Sequence, residues 1–519
     1  MLRAVSFKNP FLLCFLSAVL LILSFPLAEF WFLVWAALVP FFLALEQKRL
    51  RLAFALGYFV GFLFFAGTLY WFIHVTAIGA FLLVVYLAFY FALFAVGYAG
   101  FSRMKTIDRL FLYPSLWVVL EFLRAHLLSG FGWVCLGQSQ YKNILMIQIA
   151  DITGMFGVSF LIVMVNFLLK EWVTIVGAAY KDLISASIVG IVIFVLSLTY
   201  GLIRIPQIKV AAGPKIAVIQ ANIPQSQKWV HAFWPSIMRK YKMLTQQAAQ
   251  EKPDLILWPE TAFPGFIWEA PALFLDLKDF VHTLHTPLLL GVVTQTNEEY
   301  FNSALLLSKE GELLQQHDKL HLVPFGEYVP LRKFFPFLAD IVPIGDFTAG
   351  TRYTIFENQQ QDSHEEKKAP FSVLICFEDT VSEISRKFTN EGASFLVNIT
   401  NDAWFLDTAA PFMHLQAAVF RTVENRRSLI RAANTGVSCF IDPLGRIFKS
   451  VHNSSGKMTF LDGFSLASVG LSQQKTFYTK FGDVFTYLCF GCILWGIFKE
   501  KGNYFFREVS RNERRKEHE

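Results

Sequence analysis

The sequence predicts an α-helical membrane bundle of about eight spans that carries a mixed α/β sandwich domain. Two observations place the bundle. Only 17% of the 519 residues are charged, against about 25% in soluble domains. From Pro10 to Ser102 the only charges are Glu29, Glu46, Lys48, Arg49 and Arg51, a stretch without a solvated face that belongs in a bilayer. A third observation places the sandwich: residues 215–465 alternate short apolar runs with helical periods, as a layered α/β domain does.

Taken in order, apolar segments fall at about 10–27, 30–45, 53–73, 78–101, 110–127, 152–169 and 184–203, with a last one at about 481–498. The first follows Arg3 and Lys8 as a signal peptide would. It has no small-x-small cleavage site, so it is expected to remain as an anchor. Positive charge sets the orientation. Lys48, Arg49 and Arg51 follow the second segment, Arg103, Lys105 and Arg109 the fourth, and Lys170 and Lys181 the sixth. The loops around Glu29 and His74 have no Lys or Arg, which puts the N-terminus in the cytoplasm. Arg124 and Lys142 run against that pattern. Residues 1–205 are thus expected to form a seven-span region and 206–480 a domain on the far side. Residues 481–519 then form a returning eighth helix with a basic cytoplasmic tail.

The connection from Glu121 to Gln148 is unusual. Glu121 and Arg124 lie three apart on one helix face, followed by Gly130-Phe131-Gly132-Trp133 and Gly137-Gln138-Ser139-Gln140. Two readings are open: an ion pair beside an interfacial Trp anchor, or the wall of a lipid-entry portal, since intramembrane charge is costly to keep.

In the sandwich, Lys215–Ala221, Leu255–Trp258, Leu288–Val293 and Ser303–Leu307 predict strands, with helices at Pro235–Gln250 and Ala272–Leu284. A strand over Phe371–Ile375 is followed by a helix near Glu383–Asn390, a strand at Phe395–Ile399 and a helix at Pro411–Ile430. Val437–Ile441 and Arg446–Val451 predict a hairpin around Asp442-Pro443-Leu444-Gly445. The polar run Glu357–Lys368 predicts a solvated loop, and its lone His364 is no metal site.

Chemistry concentrates at element ends. The strand over 371–375 delivers Cys376 beside Glu378 and Asp379, and the run Asp254–Trp258 delivers Glu260. Lys319 lies between them, in His317-Asp318-Lys319-Leu320-His321. A thiol attacks as thiolate, and its ordinary pKa of about 8.5 leaves little of it ionised at neutral pH. Glu260 is the expected general base, and Lys319 the ammonium that stabilises thiolate and oxyanion. Main-chain N–H groups after Cys376 would complete an oxyanion hole. The net charge of +6 without a basic, aromatic-interleaved stripe argues against nucleic acid. Of six scattered cysteines only Cys376 and Cys439 fall in the water-soluble part, which argues against a disulfide framework, and Cys489-x-x-Cys492 lies within an apolar helix as filler.

Trp258-Pro259-Glu260, Lys319 with Pro324-Phe325-Gly326-Glu327, and Cys376-Phe377-Glu378 resemble the Glu-Lys-Cys signature of the nitrilase, or carbon–nitrogen hydrolase, superfamily. Asn398-Ile399-Thr400-Asn401-Asp402-Ala403-Trp404-Phe405 strengthens the match. With the membrane segments, residues 10–498 are similar to its membrane-embedded branch, the apolipoprotein N-acyltransferases. The resemblance implies a nitrilase-like α-β-β-α sandwich and a bacterial inner-membrane enzyme of lipoprotein maturation. It would move an acyl chain from a phospholipid, typically phosphatidylethanolamine, through a Cys376 thioester to the α-amine of a diacylglyceryl-cysteine. No metal or organic cofactor is implied. By the same resemblance, Glu327 and Glu378 orient Lys319 and the acceptor amine, and Trp229 gates the site. Phe377 stands where some members have Tyr, so only an aromatic packing role carries over. Arg431 and Asn434 fit as scaffold. The alternatives are a membrane-tethered amidase acting on a small C–N substrate and a non-catalytic lipid-binding scaffold.

Overall fold

The computed structural model describes residues 9–175, 180–328, 347–357 and 369–516, with side chains to residue 502. The expected solvated loop falls almost wholly outside the described residues, His364 included. The chain divides into two compact units, Met1–Ile203 with Asp483–Glu519, and Arg204–Gly482.

The first unit is helical. Five helices are long and apolar enough to cross a membrane: Leu50–Thr68, Ala77–Gly100, Thr106–Ser129, Met155–Thr174 and Tyr180–Gln207. The first two predicted segments form shorter apolar helices, Pro10–Leu23 and the broken stretch Trp31–Leu45. Fourteen residues rise only about 21 Å, short of the roughly 30 Å hydrocarbon core. The last segment opens the helix Val484–Lys516, whose apolar part ends at Lys499. Small residues let the bundle close. A Cβ on Gly57 would lie 2.5 Å from the Phe91 carbonyl oxygen and one on Gly61 2.9 Å from that of Ala88, so the helices meet backbone to backbone.

Glu121 and Arg124 are not paired with each other. Glu121 accepts from Trp117 Nε1 and from the Leu136 main-chain N–H, both at 2.8 Å. Arg124 donates to the Trp133 carbonyl at 2.7 Å and contacts Cys135 Sγ at 3.1 Å. Both side chains therefore hold segment 133–136 onto the helix, satisfying backbone groups that apolar surroundings would leave expensive.

The second unit contains two sheets. β1 (Ala211–Gln220), β2 (Leu255–Leu257) and β3 (Leu288–Thr296) run parallel, extended by antiparallel β4 (Glu299–Leu307) and β5 (Leu313–Asp318). The other sheet has parallel β6 (Phe371–Ile375), β7 (Phe395–Thr400) and β8 (Ser428–Ala433), then antiparallel β9 (Cys439–Ile441) and β10 (Ile447–Ser450). β11 (Gly463–Leu471) returns to pair antiparallel with β1, giving the order β11-β1-β2-β3-β4-β5.

Alternation along each strand builds two cores. Ile216 and Val218 of β1 face Val373, Ile375, Val397 and Ile399 of the other sheet. Ala217 and Ile219 point the opposite way, onto Ile237, Tyr241 and Leu244 of the helix Trp234–Ala249. Helices Ser382–Asn390 and Ala410–Asn425 accompany the five-stranded sheet. Two differences from expectation have physical causes. The helix expected to reach Ile430 stops at Asn425, where Arg426 turns left-handed at φ 49°, and Ser428–Ala433 becomes β8. β5 and β11 were not expected, because the half-polar Leu-Leu-Gln-Gln-His-Asp and Gly-Phe-Ser-Leu runs give weak strand signals.

Candidate active site

Three strand ends converge. Glu260 lies three residues past β2, Lys319 follows β5 directly, and Cys376 follows β6 at the start of a tight helical turn, Cys376–Thr380. Lys319 Nζ is 2.8 Å from Glu327 Oε1 and 3.6 Å from Glu260 Oε1. Asn302 of β4 bridges the two acids, its Nδ2 donating to both at 2.8 Å. Glu260 Oε2 accepts from the Asn401 main-chain N–H at 2.9 Å, and Glu327 Oε2 from that of Val323 at 2.8 Å. One carboxylate lobe of each acid is thus locked by main chain.

Close approach makes this possible. A Cβ on Gly291 of β3 would come within 2.6 Å of Pro259 O and Glu260 Cα and 2.5 Å of the Thr261 nitrogen. Only glycine admits the loop that presents Glu260, with Thr261 left-handed at φ 45°.

Cys376 itself is left-handed, at φ 57°. Non-glycine residues hold such a position only when their surroundings enforce it. Here Asn398 Nδ2 donates to the Cys376 carbonyl at 2.8 Å, and His414 Nε2 reaches the same oxygen at 3.2 Å. Beneath them, Arg431 donates to Asp379 and Asn398 at 2.8 Å and to Asp402 at 3.1 Å, all buried. Burial would raise the Asp402 carboxyl, but Arg431 and His414 overcome it and hold it at about 2. Burial also acts against the His414 and Arg431 charges, yet Asp379 and Asp402 raise both.

The charge states suit nucleophilic chemistry. Burial, reinforced by the Glu260 carboxylate, pushes the Cys376 thiol well up despite Lys319, so the resting nucleophile is a thiol in need of a base. Burial alone would lower Lys319; Glu327 and Glu260 outweigh it and keep the ammonium charged. Its Nζ also sits 5.3 Å over the Phe377 ring, an attraction between cation and π face.

Glu378 is placed differently from Glu327. Its Oε1 accepts from the Leu320 and His321 main-chain N–H groups at 2.7 and 3.0 Å, and its Oε2 from that of Ile375 at 2.7 Å. Burial raises its carboxyl to about 7 against those donors. It braces the Lys319 segment against the Cys376 turn. Trp229 is 41% exposed and packs on Phe266, the ring centroids 5.9 Å apart. Among the described residues no group of three His, Cys, Asp or Glu could hold a metal ion.

Residues 17–168 match the family model of the apolipoprotein N-acyltransferase N-terminal domain, and residues 215–461 that of the carbon–nitrogen hydrolases. The apolipoprotein N-acyltransferase of Geobacter metallireducens is 37% identical over 503 residues, covering 93% of each chain. The chain belongs to the apolipoprotein N-acyltransferase family. The enzymes of that name from Methylococcus capsulatus and Haemophilus ducreyi are 35% identical over 70% of this chain and 29% over 90%, covering 70% and 91% of their own lengths. Among solved structures, an amidase from Nesterenkonia sp. aligns with 52% of this chain and 95% of its own at 18% identity, with a TM-score of 0.38.

In this acyltransferase the sequence motifs omitted Asn302 and His414 and gave Asp402 no role. Asn302 lies inside a strand, where nothing local marks it as a bridge between two distant acids. Asp402 stood within the quoted 398–405 segment without a role, and His414 has no signal beyond being polar on an apolar helix.

Proposed function

We propose that this acyltransferase N-acylates the N-terminal diacylglyceryl-cysteine of apolipoproteins, with Cys376 as nucleophile, Glu260 as general base and Lys319 as oxyanion stabiliser. The observation that carries the reading is the convergence of Glu260 and Lys319 on a half-buried thiol held in a left-handed backbone. Family membership supplies the substrates.

In the first half-reaction Glu260 takes the thiol proton as Cys376 Sγ attacks the phospholipid ester carbonyl. Lys319 Nζ and the Phe377 main-chain N–H face the developing oxyanion, where fixed donors in a dry site act most strongly. The C–O bond breaks, Glu260 returns the proton to the leaving oxygen, and lysophospholipid departs from a Cys376 thioester. In the second half-reaction the lipoprotein amine attacks that thioester. Glu260 takes the ammonium proton, the C–S bond breaks, and the thiol is reprotonated. Phosphatidylethanolamine is the proposed donor, and Glu327 orients Lys319. Trp229 gates access, and Glu378 aligns the acceptor amine through the segments it braces. Phe377 shields the ammonium. No metal or organic cofactor takes part.

Eight membrane segments, with the N-terminus and basic tail in the cytoplasm, would place residues 206–480 on the periplasmic side of the inner membrane. Charge placement supports this: Lys499 pairs with Asp108 at 2.7 Å, at the helix ends that the positive-inside rule assigns to the cytoplasm.

The test uses purified protein in detergent–phospholipid micelles with acyl-labelled phosphatidylethanolamine. Mass spectrometry should find an acyl adduct on Cys376, and a diacylglyceryl-cysteinyl peptide should remove it onto its own amine. A folded protein that forms no adduct would overturn the reading.

A further inference from the structure

The trio leaves a charge unaccounted for. Glu260 and Glu327 place two formal carboxylates around the single Lys319 ammonium, and transfer of the thiol proton keeps one negative charge in excess throughout the reaction. Burying uncompensated charge is costly, so some cation should answer it. Lys228, in the short helix Gln225–Lys228, meets that description. It is buried, and its Nζ donates to the main-chain carbonyl of Glu260 at 3.1 Å. Among the described residues it has no carboxylate at ion-pair distance. It is a buried ammonium committed to a peptide oxygen, with spare donors and spare charge.

The same short helix is tied to the base a second time. Asn401, whose N–H holds Glu260 Oε2, donates through its side chain to Gln225 Oε1 at 2.9 Å. Gln225 and Lys228 thus clamp Glu260 from both ends, by its carboxylate and by its backbone.

Given the acyl-transfer reading above, we propose that Lys228 is a positioning residue that balances the active-site charge and keeps Glu260 oriented to accept the Cys376 proton. The titratable groups facing it are Glu260 and Cys376, and both favour its ammonium. Burial is the larger influence and lowers it to about 8. The sign follows. Below about pH 8 the ammonium is present and the base is supported; above it the charge is lost and the excess negative charge returns.

The experiment measures the rate of acyl adduct formation on Cys376 from labelled phosphatidylethanolamine, in the full-length protein, from about pH 6 to about pH 10. Wild type should slow as pH rises through about 8. Lys228→Met should be at least ~10-fold slower at neutral pH, the equivalent of one pKa unit, and should lose the alkaline limb near pH 8. Lys228→Arg should retain the neutral-pH rate and lose the alkaline limb, because guanidinium stays charged. A Lys228→Met protein with the wild-type rate, or one that is slower with an unshifted profile, would overturn the proposal. Should Lys228→Met not fold, Lys228→Arg decides: an alkaline limb that stays in place overturns it. Absence of adduct in wild type would strike the acyl-transfer reading instead.

Discussion

A left-handed Cys376 costs about 1–3 kcal/mol of backbone strain, which the Asn398 and His414 contacts to its carbonyl must offset. The thiol that results is half-buried and protonated at rest. Cys376→Ala is therefore expected to abolish acyl transfer while leaving expression and membrane insertion unchanged; residual transfer to the peptide would remove Cys376 from the nucleophile role. Glu260→Gln retains the acceptor for the Asn401 N–H but takes no proton. It should slow thioester formation by about 10²-fold or more, read by single-turnover mass spectrometry. His317 carries a different prediction. Burial lowers its imidazole from 6.5 to about 4, so the folded state holds it neutral where the unfolded chain would protonate it. Stability should fall as pH drops from about 6.5 toward 4, by on the order of 3 kcal/mol when complete. Thermal unfolding of His317→Gln should show a flatter dependence over that window; an unchanged slope would assign the acid sensitivity elsewhere. Glu260 and Cys376 were legible because each ends a short apolar run, and Lys319 because of the motif around it, His317-Asp318-Lys319 with Pro324-Phe325-Gly326-Glu327. Of the Arg431–Asp402–His414 support only Arg431 was read as scaffold; its pairing was not legible, since the members lie on three elements and meet only when the sheet forms.

At the scale of elements, the position of Glu260 depends on β3 as much as on its own strand. Gly291→Ala would press a methyl group into Pro259, Glu260 and Thr261. Overpacking of this kind costs about 1–3 kcal/mol, and the loop that must yield is the one that holds the base. The variant should lose thioester formation more steeply than thermal stability, and equal losses would show that the loop does not yield. The doubly apolar runs of β2, β6 and β7 were legible as strands but not as neighbours. β8 was hidden because Leu429 and Ile430 continue the apolar content of the preceding helix, and a doubly buried strand has no period of its own. The boundary is set by Arg426, whose left-handed turn no local composition marks.

For the whole molecule, the division into two units follows the charge distribution, which any reading of the sequence exposes. The lengths of the first two apolar segments do not, since composition cannot show where Pro10–Leu23 stops. The proposed topology predicts that a cysteine placed at exposed Ser454 reacts with a membrane-impermeant maleimide in cells whose outer membrane alone is opened. Labelling only after the inner membrane is broken would invert the orientation. The larger consequence lies in how the two sheets are joined. Glu260, beyond β2 of one sheet, is held by Asn401 beyond β7 of the other. Glu378, beyond β6, holds Leu320 and His321 beyond β5, and Asn434, beyond β8, bonds Ile223 beyond β1. Base and nucleophile thus ride on different slabs, and their separation is set by how far one slab slides on the other. Warming that loosens this sliding would detune the chemistry while every strand remained paired, so activity should fade several degrees before the domain melts.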